Sequence, residues 1–237
     1  MNRPSGFVCL AVALAVCLQM AIAIPLSAAQ RVTLRTDDGV QLAATWYEPD
    51  ARQGPAVILV HMLLKSRRDW DVLASRLSDA GIGVLTFDLR GHGDSQGTAQ
   101  DQAAMLQDLK AAKRFLVGRT DAIQGRIGIA GASLGATLAA MLAADDATIR
   151  SLALLSPSLD YRGLRIEPAM RKVGSRPVLL AASSEDAYAL RSARELQKDM
   201  TTRELQLLTS AGHGTTMLTR SPELVSTLVD WFRRTLL

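Results

Sequence analysis

Two consecutive stretches, RIGIA at residues 126–130 and GASLG at residues 131–135, decide the fold. The first is a short apolar run that predicts a strand, and the alanine-rich stretch behind the second predicts a helix over residues 134–144. A G-x-S-x-G pattern alone is only moderately specific. Between a strand and a helix, however, it is typical of a nucleophile elbow, a sharp turn that exposes a serine hydroxyl. The alternative is a serine that caps an ordinary helix.

Strands and helices alternate on both sides of this turn. Strands are predicted at residues 32–36, 40–47, 56–61, 82–87, 126–130, 151–155, 177–182 and 204–208. Helices are predicted at residues 68–80, 99–117, 134–144, 187–200 and 222–236. The order predicts an α/β protein with an eight-stranded, mostly parallel sheet that helices cover on both faces. In such sheets, functional residues collect at the carboxyl ends of the strands.

Candidate partners for Ser133 follow later strands. A serine hydroxyl is a weak nucleophile and needs a general base within hydrogen-bond reach. His213 lies between two glycines after the last predicted strand, and Asp186 follows the strand before it. Asp160 and Glu185 are alternative acids, and Asp186 could also be only a helix cap. The chain order is therefore Ser, Asp, His, with each residue at or just beyond the carboxyl end of a strand.

Two further motifs support a family resemblance. Residues 88–95 read DLRGHGDS and residues 211–214 read AGHG. Together with the elbow, they resemble the α/β-hydrolase fold family, in particular its small capless, dienelactone-hydrolase-like esterases, over about residues 31–237. The resemblance implies a nucleophile, an orienting acid, a general base and two backbone N–H donors to an oxyanion, which are Ser133, Asp186, His213 and the amides of Leu63 and Leu134. It also implies that His92 belongs to a structural loop.

One position departs from the family pattern. The third predicted strand is usually followed by His-Gly, whereas this chain has His61-Met62-Leu63-Leu64. A side chain at Met62 is expected to alter the path of the loop that carries the Leu63 amide. We expect His61 to pack against this loop or to form a hydrogen bond to it.

Composition limits the classes of function. The chain has 237 residues, 48% hydrophobic, with a net charge of +4 and 4% aromatic residues. Because the basic residues are scattered and aromatic residues are few, we expect no nucleic-acid partner. Neither a G-x-G-x-x-G turn after a strand, a G-x-x-x-x-G-K-[ST] loop nor an H-E-x-x-H helix occurs. We therefore expect acyl transfer without a cofactor or metal on a small-molecule ester; the sequence indicates no oligomeric state.

Residues 1–29 differ from the rest. Arg3 precedes an apolar run at residues 7–18, and small residues end the segment. This is typical of a secretory signal cleaved between Ala29 and Gln30, which would leave a hydrolase domain at residues 30–237, exported to a periplasm or the medium. The alternative is an uncleaved membrane anchor at residues 7–24. Both cysteines lie in this segment, so the mature chain would have neither a disulfide nor a thiol mechanism.

The interval at residues 157–176 bears on specificity. With only 20 residues, it predicts no substantial cap over the site. Five basic residues outnumber two acidic ones there: Arg162, Arg165, Arg171, Lys172 and Arg176 against Asp160 and Glu167. They favour an anionic substrate if they face the cleft, and are otherwise solvated surface residues. Three functions stay open: an exported serine esterase, a peptidase or amidase of the same fold, and a catalytically silent binding protein.

Overall fold

The structure is a computed structural model, and it describes residues 29–49, 54–119, 122–198 and 200–237. The predicted signal covers residues 1–29, of which residues 1–28 lie outside the described residues. The strands are β1 (Ala29–Arg35), β2 (Gln41–Tyr47), β3 (Gly54–Val60), β4 (Gly83–Phe87), β5 (Ala122–Ala132), β6 (Ile149–Leu155), β7 (Asp160–Tyr161), β8 (Leu164–Arg165), β9 (Val178–Ser183) and β10 (Arg203–Leu208). The helices are α1 (Asp71–Asp79), α2 (Met105–Gly118), α3 (Leu134–Asp145), α4 (Glu167–Val173), α5 (Ala187–Gln197), α6 (Thr216–Arg220) and α7 (Pro222–Leu236).

Eight strands form one sheet in the order β1-β2-β4-β3-β5-β6-β9-β10. The six strands from β4 to β10 pair in parallel, and β2 is antiparallel to both β1 and β4. The predicted turn at residues 37–39 joins β1 to β2, with Gly39 at φ +87°. The prediction of a mostly parallel eight-stranded sheet is confirmed. The carboxyl ends of β3, β5, β6, β9 and β10 consequently lie along one edge.

Hydrophobic layers cover both faces of the sheet. The central strand β3 is buried over its whole length because it lies between β4 and β5. Its Ile58 and Val60 pack with α2, α3, α4 and α5, whereas Val57 and Leu59 pack with α1, α6 and α7 on the other face. The alternation follows from the two-residue period of a strand, and it explains why β3 reads as an uninterrupted apolar run.

Several predicted boundaries are wrong. The helix predicted over residues 99–117 begins only at Met105, because the Asp101 carboxylate accepts a hydrogen bond from the Ala104 amide (3.0 Å) and holds a turn there. The helix predicted from residue 68 begins with a 3-10 turn, Arg67–Trp70, before α1. Helices α4 and α6 and the hairpin β7–β8 were not predicted, since each is too short to show a periodic pattern.

The connection between β6 and β9 is described in full and contains only the hairpin β7–β8 and helix α4. This agrees with the expectation of no substantial cap. Among the described residues, no helix is both long enough and apolar enough to cross a membrane.

Candidate active site

Ser133 occupies a sharp turn between β5 and α3. Its backbone has φ +51° and ψ −115°, a conformation that a residue with a side chain adopts only under strain. The surrounding backbone approaches so closely that only glycine fits on either side. A Cβ on Gly131 would lie 2.7 Å from the Ala136 nitrogen, and one on Gly135 would lie 2.6 Å from the His61 carbonyl oxygen. The Ser133 side chain makes no capping hydrogen bond to α3, so the geometry is that of an elbow rather than of an ordinary helix cap.

His213 and Asp186 are in direct contact. The Nδ1 atom of His213 lies 2.5 Å from an Asp186 carboxylate oxygen, and the other oxygen accepts the Ala189 amide hydrogen bond at 3.1 Å. Asp186 therefore caps α5 and contacts the histidine at once. The alternative acids have other partners: Asp160 accepts a hydrogen bond from the Gly163 amide (2.6 Å), and Glu185 pairs with Arg220 (3.1 Å).

Serine hydroxyls hold in place the loop that carries His213, residues 209–215, which we call the histidine loop. The Ala211 amide donates to Ser183 Oγ and the Gly214 amide donates to Ser156 Oγ, each at 2.9 Å. Ser156 follows β6, is buried and has φ +47°. Because these bonds lie on both sides of the histidine, the ends of β6 and β9 fix its position from two directions.

His61 supports the loop after β3, residues 61–64, which we call the oxyanion loop for the role that the resemblance implies for the Leu63 amide. Its Nε2 accepts a hydrogen bond from the Leu89 amide (2.9 Å), so Nδ1 carries the proton and donates to the Met62 carbonyl (2.7 Å). The side chain is fully buried, and this burial lowers the pKa of His61 to about 4. His61 is therefore neutral at pH 7 and acts as a backbone support.

Met62 packs against the histidine loop. Its Sδ atom occupies the space that a Cβ on Gly214 would need. The Lys65 amide donates to the Met62 carbonyl (3.2 Å), and Leu64 has φ +61°, so the loop makes a tight turn. Within the described residues, the amides of Leu63 and Leu134 donate to no acceptor in the protein.

The DLRGHGDS loop ties the oxyanion loop to the sheet. Asp88 is fully buried, pairs with the Arg67 guanidinium and accepts hydrogen bonds from the backbone amides of Arg67 (2.7 Å) and Asp94 (2.9 Å). His92 is also buried, with its Nδ1 3.0 Å from the Arg90 carbonyl oxygen and its ring 5.1 Å from that of His61. These contacts place His92 in the structural loop that the resemblance implies.

Ser133 and His213 line one cavity of about 460 Å³. Its other lining residues come from the oxyanion loop, the connection after β6 and the start of α5: Met62, Leu63, Ser156, Pro157, Ser158, Asp160, Tyr161, Arg162, Tyr188 and Ala189. Sequence reasoning missed the hydroxyl groups of Ser156, Ser158 and Tyr188. The available signal was position, because Ser156 and Ser158 directly follow a parallel strand.

The basic residues of the β6–β9 connection separate in the structure. Arg165 pairs with Glu167 (3.0 Å), and Lys172 pairs with Asp145 (3.5 Å). The Arg176 guanidinium donates to carbonyl groups at the end of α3 and the start of β6. Of the five, Arg162 lines the cavity. In the described part of the chain, no cluster of three or more His, Cys, Asp or Glu residues could hold a metal ion.

The sheet order, the elbow after β5 and the histidine loop after β10 define an α/β-hydrolase. Within this class, the chain belongs to the serine aminopeptidase (S33) family, whose pattern matches residues 51–226. The resemblance seen in the sequence is thereby confirmed at the level of the fold and the hydrolase family.

Individual proteins are also similar to this chain. The chain is 32% identical over 179 residues to an uncharacterized protein of Mycobacterium tuberculosis, covering 68% of this chain but only 63% of that protein. An esterase of Pyrococcus furiosus has a TM-score of 0.72 at 20% identity, covering 88% of this chain and 91% of its own. Dienelactone hydrolase of Anabaena variabilis has a TM-score of 0.74 at 18% identity, covering 90% and 100%. At these identities the two structures show a shared fold.

Proposed function

We propose that this protein is a serine hydrolase that cleaves small carboxylic esters through an acyl-enzyme. One observation carries the proposal: the strained elbow residue Ser133 lines the same cavity as His213, whose Nδ1 contacts Asp186 at 2.5 Å. A nucleophile, a base and an acid that orients the base are the groups that acyl transfer requires.

The proposed reaction has two halves. Ser133 Oγ attacks the ester carbonyl while His213 Nε2 takes its proton, and Asp186 stabilises the imidazolium through Nδ1–H. The amides of Leu63 and Leu134 donate to the oxyanion. His213 then gives the proton to the departing alcohol. In the second half, His213 activates a water molecule that attacks the acyl-enzyme, and Ser133 regains its proton as the acid leaves.

The cavity suits a small-molecule substrate. Its volume of about 460 Å³ lies within the range of small-molecule sites, and hydroxyl groups of Ser156, Ser158 and Tyr188 interrupt its apolar wall. Each of these hydroxyl groups already has a hydrogen-bond partner in the protein, so they give the wall polar surface without requiring a bond from the substrate. Small or oxygenated acyl groups fit this lining.

An amide substrate is the second candidate, since the family is described as serine aminopeptidases. The same triad cleaves amides, so the choice between bonds depends on the substrate. The comparison is between 4-nitrophenyl esters of short acids and aminoacyl 4-nitroanilides. We expect the esters to give the higher kcat/KM.

A fluorophosphonate probe tests the proposal directly, because it labels only an activated serine. We expect the purified protein to be labelled and to hydrolyse 4-nitrophenyl butyrate, and we expect Ser133→Ala to lose both properties with an unchanged melting temperature. His213→Ala should lose nearly all turnover. If the native protein is not labelled, the silent binding protein becomes the better description; if Ser133→Ala keeps full turnover, the nucleophile is wrong.

We further propose that the protein acts after export. The composition of its N-terminal segment is the reason for this proposal. Arg3 followed by the apolar run at residues 7–18 and small residues before Gln30 supports a cleaved signal.

A further inference from the structure

Arg162 is placed at the rim of the active-site cavity by a strained turn. It forms, with Gly163, the two-residue loop of the hairpin β7–β8, at φ +50° and +89° respectively. Positive φ at both positions is the geometry of a type I′ turn, which favours asparagine and glycine. An arginine there destabilises the turn relative to those residues. Strained residues concentrate at functional sites, and this one lines the cavity that contains Ser133 and His213.

Arg162 also has a free charge. Among the described residues, no carboxylate lies within 4.0 Å of its guanidinium, whereas Arg165 on the same hairpin is paired with Glu167. Its Cζ atom lies 5.9 Å from the ring centre of Tyr161, within the range of a cation–π contact. The guanidinium is therefore available to a ligand.

A neighbouring carboxylate affects how strongly Arg162 attracts an anion. Asp160 also lines it, and its carboxylate is engaged by the Gly163 amide at 2.6 Å. This negative charge weakens the attraction of an anion to Arg162 without neutralising it through a direct pair. The nearby hydroxyl groups of Ser158 and Tyr188 are bonded to each other (3.4 Å) and to the Asp160 backbone, so they fix the hairpin against α5.

We propose that Arg162 binds a carboxylate of the substrate, so that the preferred esters are anionic, such as half-esters of short dicarboxylic acids. The planar guanidinium binds a carboxylate through two parallel N–H···O bonds. This inference rests on the proposed esterase function and adds a substrate class to it.

Two pairs of substrates test the proposal. One compares 4-nitrophenyl hydrogen adipate with its methyl ester, which share an acyl chain and a leaving group. The other compares 4-acetoxybenzoate with its methyl ester, which moves the carboxylate to the leaving group. In at least one pair, we expect Arg162→Gln to lower kcat/KM for the anion about tenfold, mainly through KM, because a hydrogen bond between charged groups is lost. The neutral ester should change less than twofold.

Three further variants separate binding from general effects. Arg162→Lys keeps the charge and should retain part of the preference. Asp160→Asn removes the opposing charge but keeps the oxygen that accepts the Gly163 amide, and it should raise kcat/KM for the anion. Arg165→Gln is the matched control on the same hairpin and should change neither ester.

The possible failures are distinguishable. If fluorophosphonate labels Ser133 but Arg162→Gln changes the anionic and neutral esters equally in both pairs, the carboxylate site is wrong and the esterase function stands. If no serine is labelled and no ester is cleaved, the proposed function itself fails. If 0.5 M NaCl leaves an anion preference of the native protein unchanged, that preference is not electrostatic and the role of Arg162 is refuted.

Discussion

Replacing His61 with asparagine should change how stability depends on pH. The imidazole is fully buried and its pKa in the folded protein is about 4, against an ordinary value of about 6.5 in the unfolded chain. Above pH 6.5 the ring is neutral in both states and contributes no pH dependence. Between pH 6.5 and pH 4, only the unfolded chain takes up the proton, so the folded state loses stability as the pH falls. At about 1.4 kcal/mol per pKa unit, the whole loss is about 3 kcal/mol, of which about 2 kcal/mol has occurred by pH 5.

The assay is urea unfolding of the native protein and His61→Asn at pH 8 and at pH 5. Other groups titrate in this range, so the informative quantity is the difference in unfolding free energy between the two proteins. At pH 8 the variant should be the less stable, since it cannot reproduce both the Leu89 and the Met62 hydrogen bonds. At pH 5 this difference should have shrunk by about 2 kcal/mol, because the variant has no ring to protonate.

A difference that stays the same at both pH values would refute the reasoning, because it would show that burial does not depress the His61 pKa. Should His61→Asn not fold, the pKa can be measured in the native protein from the imidazole carbon–hydrogen NMR signals. A ring that titrates near pH 6.5 would also show that burial does not lower the His61 pKa. The result also bears on activity, since protonated His61 could no longer accept the Leu89 amide hydrogen bond below the oxyanion loop.

Two other predictions concern the elbow and the N-terminus. Gly135→Ala places a Cβ against the carbonyl groups of Val60 and His61 and should lower the unfolding free energy by about 2–3 kcal/mol. The control is Gly118→Ala, whose Cβ would have nothing within 4 Å and should leave the unfolding free energy unchanged or slightly raised. Equal melting temperatures for the two variants would contradict the close approach at Gly135. When the protein is expressed with secretion, its mass measured by mass spectrometry should be that of a chain beginning at Gln30, the second residue of β1. A mass that corresponds to a chain starting at Met1 would support the membrane anchor instead.

The parts of the fold that the sequence predicts well are those fixed by local patterns. Helix α7 was predicted at both ends, because Pro222 suits the first helical turn and an apolar face repeats up to Leu236. Strand β3 was recognisable because burial on both faces requires a continuous apolar run. The start of α2 was wrong because a side-chain hydrogen bond of Asp101 competes with the helix, and helix periodicity carries no information on such a bond.

The residues of the site likewise differ in whether a local sequence pattern predicts them. Ser133 and His213 have local signatures in flanking glycines. Arg162 has none, because its place at the cavity depends on a six-residue hairpin that tertiary contacts hold against α5. Its four basic neighbours, by contrast, turned out to be paired or to lie outside the cavity.

The effect of Met62, which departs from the family pattern, depends on the residue against which it packs, and the sequence alone does not identify that residue. In the sequence it stands alone as a bulky residue where glycine is usual, and it suggests a distorted oxyanion loop. In the structure its sulfur fills the space left by the missing side chain of Gly214, a residue 152 positions later that directly follows the predicted base. Met62 therefore packs the oxyanion loop against the histidine loop. This packing fixes the distance between two loops that must act in the same step of the proposed reaction.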